Sequence, residues 1–434
     1  MAALNPFFSP SSPLTMGKVR FLTTICQLNI IFRMPMHNVR ISIQITNKYF
    51  ALLMDTGLLK KISLSLLAMA FATTPLLSHA QNARLASQVV DDYAEHIFYG
   101  SGAMGMALVV VDNNQQVFRS FGETRPGSDI RPREDSVIRI ASLTKLITSE
   151  VLVKLSQQGT VRINDPLRKY SGGNVVPSYS PTTPITLLNL ATHTSGLPRE
   201  QPGGAPNRPV FTWPTKSDRW SWLRVAKITT PPGARAAYSN LAFDLLSDAL
   251  STAARKPYTQ LLREQITEPL GMTDTTLTPN ASQCARLMVG LRPSPCLNTT
   301  AAAGSGGIYS TPADMGRWMR QFLPSALGKR SATADLAQKM YFQRSDLVSL
   351  KGMDVPGMAD SLGMAWVTMA PTPLLPRIIQ KTGGGGGFIT YVAMVPQRGI
   401  GVFVVVTRSE LTKFKNMSDG VNELVAELVR NNEI

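Results

Sequence analysis

The 434-residue chain is poor in metal-holding and disulfide-forming side chains, with four histidines and three cysteines in all. Neither H-E-x-x-H nor a His/Cys/Asp cluster occurs, which argues against a metallopeptidase. No G-x-S-x-G elbow is present, which argues against an ordinary α/β-hydrolase. The net charge is +16, yet no basic run or aromatic-interleaved stripe accompanies it, so nucleic acid is not an expected partner. A P-loop is excluded because the glycines Gly383–Gly387 follow Lys381-Thr382 instead of preceding it. Gly100–Gly105 matches G-x-G-x-x-G by letter, but it leads into a strand rather than opening a helix, and it reads as a turn. No cofactor and no metal are expected.

Long apolar runs are scarce as well. Ile62–Leu77 is short for a membrane span and is interrupted by Pro75. With Lys60 and Lys61 before it and Ser78-His79-Ala80 after it, residues 54–80 read as a cleaved signal peptide. No cysteine follows Ala80, so lipid attachment there is excluded. Residues 1–53 carry Lys18, Arg20, Arg33, Arg40 and Lys48 and no acid. They read as a mis-assigned extension upstream of a true start at Met54, and no ordered structure is expected of them. Setting aside the seven basic residues and one acid of residues 1–80 leaves 37 basic and 27 acidic residues, a net +10. On an exported, periplasmic protein such a surface suits an anionic polymer of the wall or a peripheral position on the inner membrane. An oxidising compartment also lets Cys284 and Cys296 pair, closing a short loop worth about 3 kcal/mol. Two unpaired thiols are the alternative.

Secondary-structure signals cluster at the two ends. A helix is expected over 88–99, then strands Met106–Asp112 and Gln116–Phe121 around Asn113-Asn114. Phe388–Val395 and Gly401–Thr407 form a second strand pair, followed by a helix with Val421, Leu424, Val425, Leu428 and Val429 at helical spacing. Between them the pattern is mostly helical, as in Leu143–Gln158 and Leu241–Ala254. The Pro- and Trp-rich stretch from Pro198 to Trp222, with Trp213, Trp220 and Trp222, reads as a long ordered loop. The expected class is α+β: an antiparallel sheet with flanking helices, built from both chain ends (about 81–140 and 300–434). An all-helical subdomain of about 141–299 is inserted in it.

Three short motifs carry the chemistry: Ser142-Leu143-Thr144-Lys145, Tyr238-Ser239-Asn240 and Lys381-Thr382-Gly383. Each is weak alone; together they supply a nucleophile, two candidate bases, an amide and a cation. Spacing i, i+3 at a helix start puts Lys145 within reach of the Ser142 hydroxyl. A lysine takes that proton only if burial or a second cation lowers its pKa. Tyr238, held between two lysines, is the other candidate base, and Asn240 can hold a substrate amide; a half-buried tyrosine and a capping asparagine are the bland reading. Lys381 and Thr382, expected to open the strand Phe388–Val395, can bind a substrate carboxylate while Gly383 lets substrate lie along the strand edge. His193 reads as a structural histidine closing a turn rather than as a base.

These boxes, with Thr192-His193-Thr194-Ser195-Gly196-Leu197-Pro198 and Gly304-Ser305-Gly306-Gly307-Ile308-Tyr309-Ser310-Thr311, resemble the class C β-lactamase and low-molecular-weight penicillin-binding protein superfamily. The resemblance spans residues 85–430 and implies a serine β-lactamase/DD-peptidase-like fold. It implies Ser142 as acylated nucleophile, Lys145 and Tyr238 as proton-transfer pair, and Asn240, Lys381, Thr382 and Gly383 as substrate-binding residues. The backbone N–H groups of Ser142 and Gly384 would form the oxyanion hole. It further implies peptidoglycan muropeptides as substrates of a D-Ala-D-Ala carboxypeptidase and endopeptidase, and β-lactam antibiotics as covalent ligands. Gly384 stands where class C β-lactamases usually have serine or alanine, and a more pliable strand there counts against efficient antibiotic hydrolysis. A class C β-lactamase, an esterase on the same scaffold and a non-catalytic penicillin-binding sensor remain the alternatives.

Overall fold

The computed structural model describes residues 21–22, 25–33, 38–46, 87–112, 115–203, 213–325 and 328–431. The expected signal peptide, 54–80, and its cleavage site lie outside the described residues. Within the unit Met1–Asn82, strands Phe21–Leu22, Ile25–Arg33 and Asn38–Thr46 pair as a three-stranded antiparallel sheet. No order was expected there; Ile25–Arg33 is rich in Ile, and Asn38–Thr46 alternates Val39, Ile41, Ile43 and Ile45 with polar residues, which favours strands.

Residues Ala83–Ile434 form the second compact unit. Its centre is an eight-stranded sheet in the order Gln115–Gly122, Gly105–Asp112, Ile400–Thr407, Phe388–Val395, Ile378–Gly385, Val367–Met369, Ala359–Leu362 and Phe342–Gln343. Every neighbouring pair is antiparallel. The N-terminal hairpin is thus zipped onto the C-terminal strand pair, Met106 opposite Val406 and Val110 opposite Val402. Period-two alternation sends Ala107, Val109, Val111, Phe403 and Val405 to one face. Met106, Leu108, Val110, Val402, Val404 and Val406 go to the other. That second face is covered by the C-terminal helix Phe414–Asn431, through Met417, Val421, Leu424, Val425 and Leu428, and by the helix over 87–101. Covering both faces is why these strands read as unbroken apolar runs.

The first face receives the helical region, whose centre is the helix Thr144–Gln157. Residues 144–153 of that helix are all buried, including the polar Thr144, Lys145, Thr148, Ser149 and Glu150, so it is a core helix rather than a surface amphipathic one. Asn240–Ala254 packs beside it.

Two local expectations are corrected. Lys381-Thr382-Gly383 does not open the strand Phe388–Val395; it lies in a strand of its own, Ile378–Gly385, paired with it. Gly386 and Gly387, at φ +62 and +87, make the turn between them, a conformation that two consecutive glycines adopt without strain. The Trp-rich stretch is only partly a loop: Lys216–Val225 is a helix holding Trp220 and Trp222. Its start signal is a capping box in which Thr215 and Asp218 bond each other's backbone N–H groups.

Candidate active site

The nucleophile turn is built by the seam between sheet and helices. Ser142 lies in a short 3-10 turn, Ala141–Leu143, just before the helix that carries Lys145. Ala141 is held at φ +48, a left-handed conformation that costs a non-glycine residue about 1 kcal/mol. The neighbours hold it there. Thr390 Oγ1 donates to Ile140 O at 3.0 Å, and Ile140 N donates to Ile308 O at 3.2 Å. Gly383 lies so close that a Cβ on it would sit 3.0 Å from Ser142 N and 2.9 Å from Ile140 O. Glycine is therefore required at 383 by close approach. Gly384 is different: it is exposed, and its nearest obstacle to a Cβ is Phe388 O at 3.9 Å. The turn is also braced from behind, where Cys284 and Cys296 are joined in a disulfide with Cα atoms 5.7 Å apart. Within its loop, the Pro295 carbonyl accepts from the buried Arg139 guanidinium at 2.5 Å.

Around half-buried Ser142, Tyr238 Oη donates to Oγ at 2.6 Å and Lys145 Nζ donates to it at 3.2 Å. Lys145 is wholly buried, and Nζ also donates to Ser305 O at 2.7 Å and Asn240 Oδ1 at 2.6 Å. Those two acceptors are fixed, so the third direction of the nitrogen falls on Ser142. As an ammonium Lys145 gives that oxygen a proton; as a neutral amine it turns a lone pair toward it. Burial lowers its pKa, with Arg199 adding to the effect and Asp244 and Glu200 opposing it.

Tyr238 follows the short strand Ala236–Ala237, and Ser239, not Asn240, caps the following helix through Ala242 N. The Asn240 side chain is thus released from capping: its Oδ1 serves Lys145, and its Nδ2 donates to Glu200. The Tyr238 ring lies between cations, with Lys145 Nζ at 4.8 Å and Lys381 Nζ at 4.7 Å from its centroid, and Arg199 at 4.8 Å. Buried Lys381 is pushed down to about 8, first by desolvation, with Lys145 and Arg199 adding to the effect and Tyr238 opposing it. Thr382, half-buried, follows it on the same strand.

His193, at φ +61, accepts from Ser239 N at Nδ1 (3.0 Å) and stacks on Tyr238 at 4.5 Å. Burial and the cations Lys381, Lys145 and Arg199 hold it well below the usual histidine range, so it is neutral. It supports the tyrosine from behind. Reasoning from sequence missed four residues here: Arg199, Glu200, Asp244 and Ser305. Ser305 lay within the Gly304–Thr311 segment that carried the resemblance, though with no role given to it, and Asp244 stands four residues after Asn240 on a helix, hence on the same face.

A sheet made from both chain ends, with a helical insert meeting it at a buried lysine, is the architecture of the serine β-lactamase-like hydrolases. The chain belongs to the Beta-lactamase family, whose profile matches residues 86–426. It is 66% identical over 348 residues to the D-alanyl-D-alanine-carboxypeptidase/endopeptidase AmpH of Escherichia coli K12, covering 80% of this chain and 90% of that protein. It is also similar to the crystal structure of a beta-lactamase/D-alanine carboxypeptidase from Yersinia pestis, with 69% identity and a TM-score of 0.79 over 80% of this chain and 99% of that one. A class C beta lactamase from Rhodobacter sphaeroides shares the fold at 19% identity, with a TM-score of 0.62 over 79% of this chain and 99% of the other.

Proposed function

We propose that the protein is a serine DD-peptidase, a D-Ala-D-Ala carboxypeptidase and endopeptidase that cleaves peptidoglycan stem peptides through an acyl-enzyme. The observation that carries this is the suspension of Ser142 Oγ between Lys145 Nζ and Tyr238 Oη, with the Lys381 cation beyond the tyrosine ring. Ser142 Oγ attacks the carbonyl carbon of the penultimate D-alanine while its proton passes to the Lys145/Tyr238 pair. The oxyanion that forms is met by the backbone N–H groups of Ser142 and Gly384. Collapse breaks the amide bond, and the pair returns the proton to the departing amine of D-alanine or of a cross-linked stem. Water then attacks the ester, its proton leaving by the same route, and frees Ser142. Lys381 and Thr382 hold the substrate's terminal carboxylate, and Asn240 Nδ2 turns from Glu200 to the substrate amide.

A β-lactam offers the same carbonyl and carboxylate, so penicillins acylate Ser142; slow release makes the protein a weak β-lactamase. The signal-like segment and the excess of Lys and Arg favour a periplasmic location with peripheral contact to the inner membrane. The decisive test is Ser142→Ala. Covalent labelling by a fluorescent penicillin should vanish, and D-alanine release from a pentapeptide muropeptide should fall about 10³-fold or more. Labelling that persists would remove Ser142 from the role.

A further inference from the structure

None of these steps uses Asp244, although it is the buried carboxylate nearest the chemistry. It lies on the helix Asn240–Ala254, one turn beyond Asn240. Its Oδ1 accepts from the Ser305 N–H at 3.0 Å, and its Oδ2 from the Ser305 hydroxyl at 3.0 Å. The carbonyl of the same Ser305 accepts from Lys145 Nζ at 2.7 Å. Three segments are thereby linked in one line: the helix after Tyr238-Ser239-Asn240, the Gly304–Gly307 loop and the serine helix. The loop reaches this depth because Gly304 rests on helix backbone, where a Cβ would sit 1.9 Å from Phe243 O. Such contact leaves the Ser305 carbonyl little freedom except what Asp244 allows.

We propose that Asp244 is a positioning residue for Lys145: through Ser305 it fixes where the lysine nitrogen sits, and by its charge it governs how firmly that nitrogen keeps its third proton. The inference rests on the reading of Ser142 as the nucleophile. A carboxylate reaching the lysine through a neutral serine holds it in place without locking it as an ammonium, which a direct ion pair would do. The surroundings are consistent with a shared proton. Burial pushes Asp244 up and Lys145 down, and each charge opposes the other's displacement. The other ionisable groups facing the pair are Arg219 and Asp248 beside Asp244, Tyr258 from the next helix, and Arg199, Glu200, Tyr238, His193 and Lys381 on the cleft side.

The experiment is the second-order rate of acylation by benzylpenicillin, measured between about pH 5 and pH 10 on wild type, Asp244→Asn and Ser305→Ala. Asparagine keeps the shape: its Oδ1 still accepts the Ser305 N–H, and its Nδ2 donates to the Ser305 hydroxyl. Only the charge is lost. The Lys145 ammonium loses its nearest counter-charge, so the acidic limb of the profile should move to lower pH by about one unit. Ser305→Ala keeps the charge and loses one of the two anchoring bonds; it should lower the rate about fivefold with the limb in place. A limb in Asp244→Asn that stays put or moves upward overturns the proposal. If that variant does not fold, Ser305→Ala decides, and an unchanged rate overturns it. Labelling of Ser142→Ala would instead indict the nucleophile assignment, so the two failures cannot be confused.

Discussion

Asp244 and Asp248 sit one turn apart on the same helix and are neutralised in opposite ways. Asp248 is clasped by the buried Arg219, Nε to Oδ2 at 2.7 Å and Nη2 to Oδ1 at 3.0 Å, and Trp220 Nε1 donates to it at 2.9 Å. Both Nη1 bonds go to the carbonyls of Pro214 and Ala301, so four of its donors are spent on structure, although its charge also lowers the Asp244 pKa. Asp244 has no such clasp: its partners are one serine's N–H and hydroxyl, and the nearest lysine is reached through that serine's carbonyl. A buried carboxylate clasped by an arginine serves to hold helices together. One that is incompletely compensated is left with a proton affinity close to its neighbour's, which is what acid–base chemistry near neutrality requires.

The strongest way to break this comparison is to remove the clasp. Arg219→Ala leaves Asp248 buried without its cation and should destabilise the fold by about 3–5 kcal/mol, read as a fall in the urea midpoint at constant slope. The molecules that still fold should be acylated by penicillin, because Arg219 touches none of Ser142, Lys145, Tyr238 or Lys381. A loss of acylation without a loss of stability would mean that the two aspartates work as one unit. A smaller effect is expected from Lys381, the buried cation that lies over the Tyr238 ring. Lys381→Ala should weaken substrates with a free terminal carboxylate by about 10–100-fold in kcat/KM, the worth of a charge-assisted hydrogen bond. Neutral esters should lose much less, and stability should hardly change. Equal losses on both substrates would mean that Lys381 acts by tuning Tyr238 rather than by binding.

This division between spent and unspent charge was only half visible in the sequence. The three boxes announced Ser142, Lys145, Tyr238, Asn240 and Lys381, because their chemistry needs fixed letters at fixed local spacing. The two-ended sheet was legible too, since Met106–Asp112 and Gly401–Thr407 are buried on both faces and carry no polar punctuation. The strands Phe342–Gln343, Ala359–Leu362 and Val367–Met369 were missed because two to four residues are too few to show a period. Ile378–Gly385 was hidden by its glycines, which have poor strand propensity but are needed where the chain runs against Ser142 N. Arg219 with Asp248 and Asp244 with Ser305 were invisible for another reason. Their partners lie 29 and 61 residues apart in sequence, and no local rule pairs them.

The finest distinction lies in how stability varies with pH. The folded Asp244 carboxyl is raised to about 7 from its ordinary 3.8 by burial. Between those two pH values the folded state therefore binds more protons than the unfolded chain, and stability from this group falls as pH rises through the window. Lys145, lowered from 10.5, acts in the opposite direction at higher pH, where stability rises as pH climbs toward the unfolded lysine's value. Asparagine at 244 does not titrate, so Asp244→Asn should match wild type near pH 4 and gain on it steadily toward neutrality. At pH 7 the variant should be the more stable of the two proteins, while acylating Ser142 with the acidic limb of its pH profile displaced to lower pH. Thermal or urea unfolding of both proteins at several pH values measures the difference directly. A variant several kcal/mol less stable at pH 7, like Arg219→Ala, would mean that Asp244 is as structural as Asp248. A difference that stays flat from pH 4 to 7 would mean that its carboxyl is not displaced by burial at all.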